Sequence, residues 1–330
     1  MSLALPELKP PPRVLSLIVP VFNEEASVGP FLERLQQVYL DPGATGSDPQ
    51  KLEIVFVNDG STDRTVERLL EAQSGAPSWW RIIVVELSRN FGKEAALTAG
   101  LGTVTGDVAV PIDVDLQDPP EVIPAMVAKW RAGFEVVLAR RADRSSDSLP
   151  KRLTASWFYR LHNWMADLKL PHNVGDFRLM DRVVVEALRE LPESRRFMKG
   201  LFAWVGFRST TVDYTRDERA CGESKFNGRK LLSFAVEGVT SFSDAPLRLW
   251  TYLGSAIALL SLLWGGWIAL RTILFGADLP GYPSIFVAVT FFGGVQLIGI
   301  GVLGEYLGRT YIEAKRRPVY FVRKVHLPPD

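Results

Sequence analysis

Hydrophobic positions fall into two regimes along the chain. In the first, apolar runs rich in Val and Ile occupy residues 15–22, 53–58, 82–87, 108–112 and 135–139, each short enough to be a strand. Between them, apolar residues recur at helical spacing over 26–39, 62–73, 93–103 and 120–130. Continuous apolar strands alternating with amphipathic helices predict an α/β fold whose mostly parallel sheet is covered on both faces. Beyond residue 226 the pattern changes. Residues 227–248 keep helical spacing with Arg229 and Lys230 at the leading edge, which suits either a helix lying in the lipid headgroup region or one packed on the preceding domain. From 249 to 270 there is no charged side chain. A helix of that length spans roughly 33 Å, against a hydrocarbon core of about 30 Å. A second uncharged stretch, 279–304, is broken early by Pro280, Gly281 and Pro283, so its helix is expected to begin near Ser284.

The pattern divides the chain into a flexible tail (1–13), an α/β domain (14–226), an amphipathic juxtamembrane stretch (227–248), transmembrane helices at 249–271 and 284–305, and a basic tail (306–330). The connection between the spans carries only Arg271 and Asp278, whereas Lys315, Arg316, Arg317, Arg323 and Lys324 follow the second span. Positive charge is retained on the cytoplasmic side, so both termini and the α/β domain are expected there, with the hairpin tip outside. The Pro-rich N-terminus has no apolar core and does not read as a signal peptide. Gly293, Gly294, Gly299, Gly301, Gly304 and Gly308 permit close helix contact, within the hairpin or between protomers of a homo-oligomer.

Composition narrows the function classes. The chain has 330 residues, 47% hydrophobic and 23% charged, which excludes disordered and fibrous architectures. Lys and Arg total 38 against 37 Asp and Glu, so the basic footprint of a dedicated nucleic-acid binder is missing. Cys221 is the one cysteine, which rules out an intramolecular disulfide, and His162, His172 and His326 are too scattered for a histidine metal cluster.

In doubly wound sheets, ligands sit beyond the carboxyl ends of the strands. Those ends carry Asn23-Glu24-Glu25, Asn58-Asp59-Gly60-Ser61-Thr62-Asp63, Ser88-Arg89-Asn90-Phe91-Gly92-Lys93, and Asp113-Val114-Asp115-Leu116-Gln117-Asp118-Pro119-Pro120-Glu121. No Gly-rich phosphate loop is among them. Gly100-Leu101-Gly102-Thr103-Val104-Thr105-Gly106 has the wrong spacing for a dinucleotide fingerprint and reads as a helix C-cap and turn. On an extended segment Asp113 and Asp115 point the same way, with Gln117 continuing the face. Such a pair is either a solvated turn or a seat for a hard divalent cation, Mg²⁺ or Mn²⁺, that keeps positions open for phosphate oxygens. Asp118-Pro119-Pro120-Glu121 fits an N-cap with a capping-box Glu. Asp63, Asn23 and Glu24 can equally serve as caps.

These four clusters, with Pro20-Val21-Phe22 leading the first, resemble the family-two glycosyltransferases of GT-A fold. Gly175-Asp176-Phe177-Arg178-Leu179-Met180, Phe197-Met198-Lys199-Gly200 and Arg219-x-x-Gly222-Glu223-Ser224-Lys225 narrow the resemblance. Together with two C-terminal spans, they are similar to the polyprenyl-phosphate glycosyltransferases: the bactoprenol glucosyltransferase group and the related dolichyl-phosphate mannose synthases.

The resemblance implies an inverting transferase that moves one sugar, glucose from UDP-glucose, onto undecaprenyl phosphate at the cytoplasmic face of the bacterial inner membrane. The runner-up within the same chemistry is a GDP-mannose enzyme acting on a dolichyl-type lipid. Nucleobase and ribose contacts fall on Pro20, Asn23, Glu24, Asp59, Ser88 and Lys93. Asp113, Asp115 and Gln117 correspond to the positions that bind the diphosphate through Mg²⁺ or Mn²⁺. Asp176 matches the catalytic base; since a lipid phosphate is already ionised near neutral pH, it can instead align the acceptor or the cation, or merely cap the following helix. Arg140, Lys151, Arg152, Arg219, Ser224 and Lys225 would meet the acceptor phosphate. The family includes tetramers. A processive polysaccharide synthase is disfavoured by the missing Gln-x-x-Arg-Trp motif and by too few spans, and a non-catalytic membrane scaffold by the acidic pair and Asp176.

Overall fold

Alternation along β1 (Val14–Val21) sends Leu15, Leu17, Val19 and Val21 to one face of the sheet and Ile18 to the other. β2 (Lys51–Asn58) repeats the division, with Ile54 and Phe56 on the first face and Val55 and Val57 on the second. Each face is covered by helices whose apolar stripe matches it. The first receives Phe31 and Leu35 from α1 (Val28–Val38), Leu69 from α2 (Thr65–Ser74), and Ile123, Met126 and Trp130 from α4 (Ile123–Arg131). The second receives Ala96 and Leu97 from α3 (Lys93–Thr103) and Val184 and Leu188 from α5 (Arg182–Glu190). Full burial of such side chains contributes about 1.5–3 kcal/mol each.

The computed structural model describes residues 8–39, 51–142, 174–193, 196, 198–215, 245–275 and 281–328. Its remaining elements are β3 (Trp80–Leu87), β4 (Val108–Pro111), β5 (Val136–Arg141), β6 (Val174–Asp181), α6 (Met198–Trp204), β7 (Ser209–Tyr214), α7 (Ala245–Phe275), α8 (Tyr282–Ala314) and β8 (Val322–His326). Eight strands form one mixed sheet in the order β7-β5-β6-β4-β1-β2-β3-β8. The stretch β4-β1-β2-β3 is parallel, as its continuous apolar runs require; β6 enters antiparallel to both β4 and β5, and β8 closes the other edge antiparallel to β3.

Several expectations change. Residues 8–13 are not a free tail: the Lys9 amide donates to the Arg131 carbonyl at 2.8 Å, Arg131 Nε donates back to the Lys9 carbonyl at 2.9 Å, and the Lys9 ammonium meets Asp181 at 2.8 Å. The basic tail is not free either, since α8 runs to Ala314 and residues 322–326 then return to the sheet as β8. Gly100 is no C-cap. It lies inside α3, where a Cβ would stand 2.2 Å from Ile18 Cγ2, so its hydrogen lets the helix lie close on β1.

α7 and α8 are 31 and 33 residues long. Within α8, the 24 residues Phe291–Ala314 are long and apolar enough to cross a membrane. Trp264, Trp267, Ile273 and Phe275 on α7 and Leu297, Ile298 and Leu307 on α8 are all more than half exposed, a surface unsuited to water. The helices touch where Gly299 of α8 meets the Trp250 indole of α7, and a Cβ there would overlap the ring. Gly293, Gly294, Gly301, Gly304 and Gly308 have open space beside them. Most of the 227–248 stretch, through residue 244, lies outside the described residues.

Candidate active site

The carboxyl ends of β1, β2, β3 and β4 bring the acidic loops to one rim, and a web of side-chain-to-backbone hydrogen bonds stitches neighbouring loops together. Asn23, with φ 55°, accepts from the Thr62 amide at 2.8 Å, and its own amide donates to Ser61 Oγ at 2.9 Å. The Glu24 amide donates to Thr65 Oγ1 at 2.9 Å, while its carboxylate accepts from Ser27 Oγ at 2.6 Å. Asp63 accepts from the Thr65 amide and hydroxyl at the start of α2. The helix-supporting reading of Asp63 therefore holds. Asn23 and Glu24 bridge two loops rather than cap α1, whose N-cap Ser27 makes no side-chain cap bond.

Asp59 is nearly buried, 4% exposed. Its carboxylate accepts from the Phe91 amide at 2.7 Å and the Gly92 amide at 2.8 Å, so it grips the β3–α3 loop. Burial pushes its pKa up, partly offset by those two amides and by Arg89. The adjoining Gly60, at φ +73°, could carry no side chain: a Cβ would stand 2.6 Å from the Arg89 carbonyl carbon. The loop is held from its other side as well. The Ser88 amide donates to the Phe321 carbonyl at 2.9 Å, just ahead of β8, and the Phe91 and Phe321 rings lie 6.5 Å apart. Pro20 pairs in the β1–β2 register with Val57.

The acidic segment after β4 departs from the extended form that its spacing implied. The strand ends at Pro111, residues 114–115 turn, and Leu116 takes φ 59°. Asp115 Oδ1 accepts from the Gln117 amide at 3.1 Å, closing the turn. Exposure nevertheless alternates: Asp113, Asp115 and Gln117 reach the rim while Val114, Leu116 and Asp118 are buried. Asp118 does not cap the following helix. It takes the Tyr214 hydroxyl at 2.5 Å, and Glu121 pairs with Arg34 at 2.7 Å instead of forming a capping box. Desolvation and then Asp118 push the Tyr214 pKa upward.

Asp176 lies within β6, not in a loop, and the cap of α5 is Asp181, which accepts from the Val183 amide. That removes the capping reading of Asp176. The β6 start is braced by Arg178, 4% exposed, whose guanidinium donates to the Gly175 carbonyl at 2.5 Å and stacks 4.0 Å above Phe202. This support was not singled out from the sequence, although Arg178 sits in the motif. The side chain that joins the site is Lys93, the first residue of α3. Its Nζ lies 2.7 Å from both oxygens of Asp113 and 3.2 Å from Asp176 Oδ2. Desolvation works against its charge, but Asp113 and then Asp176 outweigh it and raise the Lys93 pKa. Lys93 thus belongs with the acidic centre rather than with the base and ribose contacts.

Of the proposed acceptor-phosphate residues, Arg140, next to last in β5, makes a two-pronged pair with Asp213 at 2.6 and 2.8 Å. Lys151, Arg152, Arg219, Ser224 and Lys225 lie outside the described residues. Among the described residues no three His, Cys, Asp or Glu side chains gather around one point. Two carboxylates and an amide oxygen are hard donors that leave positions to phosphate and water, which suits Mg²⁺ or Mn²⁺ better than a metal held wholly by protein.

Comparison with known proteins bears on this site. Residues 16–189 match the model for glycosyl transferase family 2. The SfII prophage-derived bactoprenol glucosyl transferase of Shigella flexneri is 52% identical, over 94% of this chain and 98% of that protein. A prophage bactoprenol glucosyl transferase homolog of Escherichia coli strain K12 is 51% identical, over 94% and 99%. Among solved structures, the mannosyltransferase PcManGT of Pyrobaculum calidifontis in complex with GDP-Man and Mn²⁺ is 17% identical with a TM-score of 0.43, over 93% of this chain and 89% of that one. The family model spans the rim from β1 through α5 and the relatives nearly the whole chain, so this protein belongs to glycosyltransferase family 2.

Proposed function

We propose that this chain moves a single glucose from UDP-glucose onto undecaprenyl phosphate, or a similar polyprenyl phosphate, at the cytoplasmic face of the bacterial inner membrane, with inversion at the sugar. The observation that carries the reading is the Lys93 ammonium joining Asp113 to Asp176 across the rim, with Asp115 and Gln117 partly exposed on the turn that follows Asp113. The bactoprenol glucosyl transferases named among its relatives support the choice of sugar and lipid.

Asp113, Asp115 and Gln117 would hold Mg²⁺ or Mn²⁺, which when bound neutralises the departing nucleoside diphosphate. The remaining work belongs to the chain. Asn23, Glu24 and Ser88, on loops held in fixed relation, offer polar groups to base and ribose, while Asp59 sets the loop that carries Ser88 and Lys93. Asp176, held on a strand braced by Arg178, stands where it can orient the acceptor beside the donor sugar. A lipid phosphate is already ionised near neutral pH, so alignment demands more of Asp176 than proton removal does. The apolar helices keep the domain at the surface where a long-chain lipid presents its headgroup, raising its effective concentration. Close packing through Gly304 and Gly308 would suit a homo-oligomer.

The direct test supplies labelled nucleotide sugars to membranes containing the protein and undecaprenyl phosphate, with and without EDTA. Label should enter the lipid phase from UDP-glucose, be lost with EDTA, and be lost in Asp115→Asn. Transfer only from GDP-mannose would overturn the donor. Transfer insensitive to chelator, or an undiminished variant, would overturn the metal assignment.

A further inference from the structure

The Lys93 ammonium stands against both oxygens of Asp113 at equal distance, 2.7 Å, and also touches Asp176 at 3.2 Å. A carboxylate that chelates one cation through both oxygens cannot offer the same lone pairs to a second. Lys93 is also set in a place where a cation has little other reason to be. It is the first residue of α3, where the helix dipole disfavours positive charge. Its backbone is fixed by Asp59, which holds the amide of the preceding Gly92, yet its four-carbon stem leaves the charged end free to swing.

We propose that Lys93 is the resident counter-ion of this site: it holds Asp113 and Asp176 in the absence of donor, competes with the divalent cation for Asp113, and releases it when the donor's diphosphate arrives. The proposal rests on the reading of Asp113 and Asp115 as metal-holding residues. Its basis is the pairing of Asp113: both of its oxygens already face the Lys93 ammonium, so a divalent cation arriving alone brings a second positive centre onto an occupied carboxylate. A diphosphate supplies negative charge to both the metal and the displaced Lys93. Metal and nucleotide must then strengthen each other's binding, and the coupling is reciprocal. Lys93 thereby sets an order: metal alone binds weakly, and metal with nucleotide binds well.

The test is Mn²⁺ binding by the full-length protein in detergent, followed by the electron paramagnetic resonance of free Mn²⁺ with and without UDP. Lys93→Met removes the competing charge and should tighten binding of Mn²⁺ alone by roughly five- to tenfold, while shrinking the gain produced by UDP. Lys93→Arg keeps the charge and should keep weak metal binding and strong coupling; thermal melts confirm that both variants fold. A residue that merely shaped the loop would weaken Mn²⁺ binding when replaced. Unchanged or weaker affinity in Lys93→Met overturns the proposal while the metal site stands. Absence of Mn²⁺ binding in wild type even with UDP, or wild-type binding in Asp113→Asn, overturns the site reading and the proposal with it.

Discussion

Asp181 holds three donors at once: the Lys9 ammonium at 2.8 Å, the Trp130 indole N–H at 2.6 Å and the Val183 amide at 3.1 Å. Burial alone would raise its pKa, but Lys9, Trp130 and Val183 outweigh that and lower it. A lowered folded pKa gives stability that is present above the ordinary carboxylate range and lost as pH falls through the depressed value. Asp181→Asn is therefore expected to cost about 1 kcal/mol at pH 7, roughly 2–4 °C in thermal melts of the detergent-solubilised chain, with the gap from wild type closing in acid. A gap independent of pH would sink this account. The contrast with the rim shows what single residues disclose in a sequence. Asp113 and Asp115 stood out because their spacing is local. The Lys93 bridge to Asp176 joins residues distant in the chain, and only the sheet order that sets β6 beside β4 brings them together. Asp118 misled for the same reason: a local capping pattern yielded to the remote Tyr214 hydroxyl.

At the scale of elements, the parallel strands and their covering helices were legible because they are buried on both faces and read as unbroken apolar runs. β6, β7 and β8 were not. β7 and β8 are edge strands with mixed polarity, and β6 interrupts its apolar residues with Asp176 and Arg178. β8 has the most consequence for the site. It pairs with β3, Gln73 Nε2 reaches the His326 carbonyl at 3.1 Å, His326 Nε2 meets Glu86 at 2.5 Å, and Phe321 braces the loop that carries Ser88 and Lys93. Ending the chain after Val319 removes that brace but leaves the Asp59 grip intact. The expected result is a several-fold higher KM for the nucleotide sugar with kcat little changed and membrane retention kept, while the bared β3 edge favours aggregation. Phe321→Ala should give a milder form of the same KM effect. An unaltered KM in both would make β8 a structural hem with no bearing on the donor loop.

For the whole molecule, β8 imposes a parity. It completes the same sheet that holds β7, so residues 214 and 322 lie on one side of any membrane, and the chain between them crosses an even number of times. If the apolar stretch of α8 crosses, it cannot cross alone, and α7, with its exposed indoles and its contact through Trp250 to Gly299, is the expected return crossing. Parity says that residues 214 and 322 share a side; the expectation that this side is cytoplasmic comes from the basic flanks. Because Cys221 is the one cysteine, a Cys221→Ser background permits a clean test. A cysteine introduced by Asp278→Cys, between the spans, should react with a membrane-impermeant maleimide in intact spheroplasts, whereas Pro328→Cys, just past β8, should react only after lysis. Labelling of both from one side would mean that α7 and α8 lie along the surface, and the enzyme would have to meet its lipid without a spanning anchor. Opposite labelling fixes the rim on the cytoplasmic side, where a nucleotide sugar and a lipid phosphate can reach Asp115 and Asp176 together.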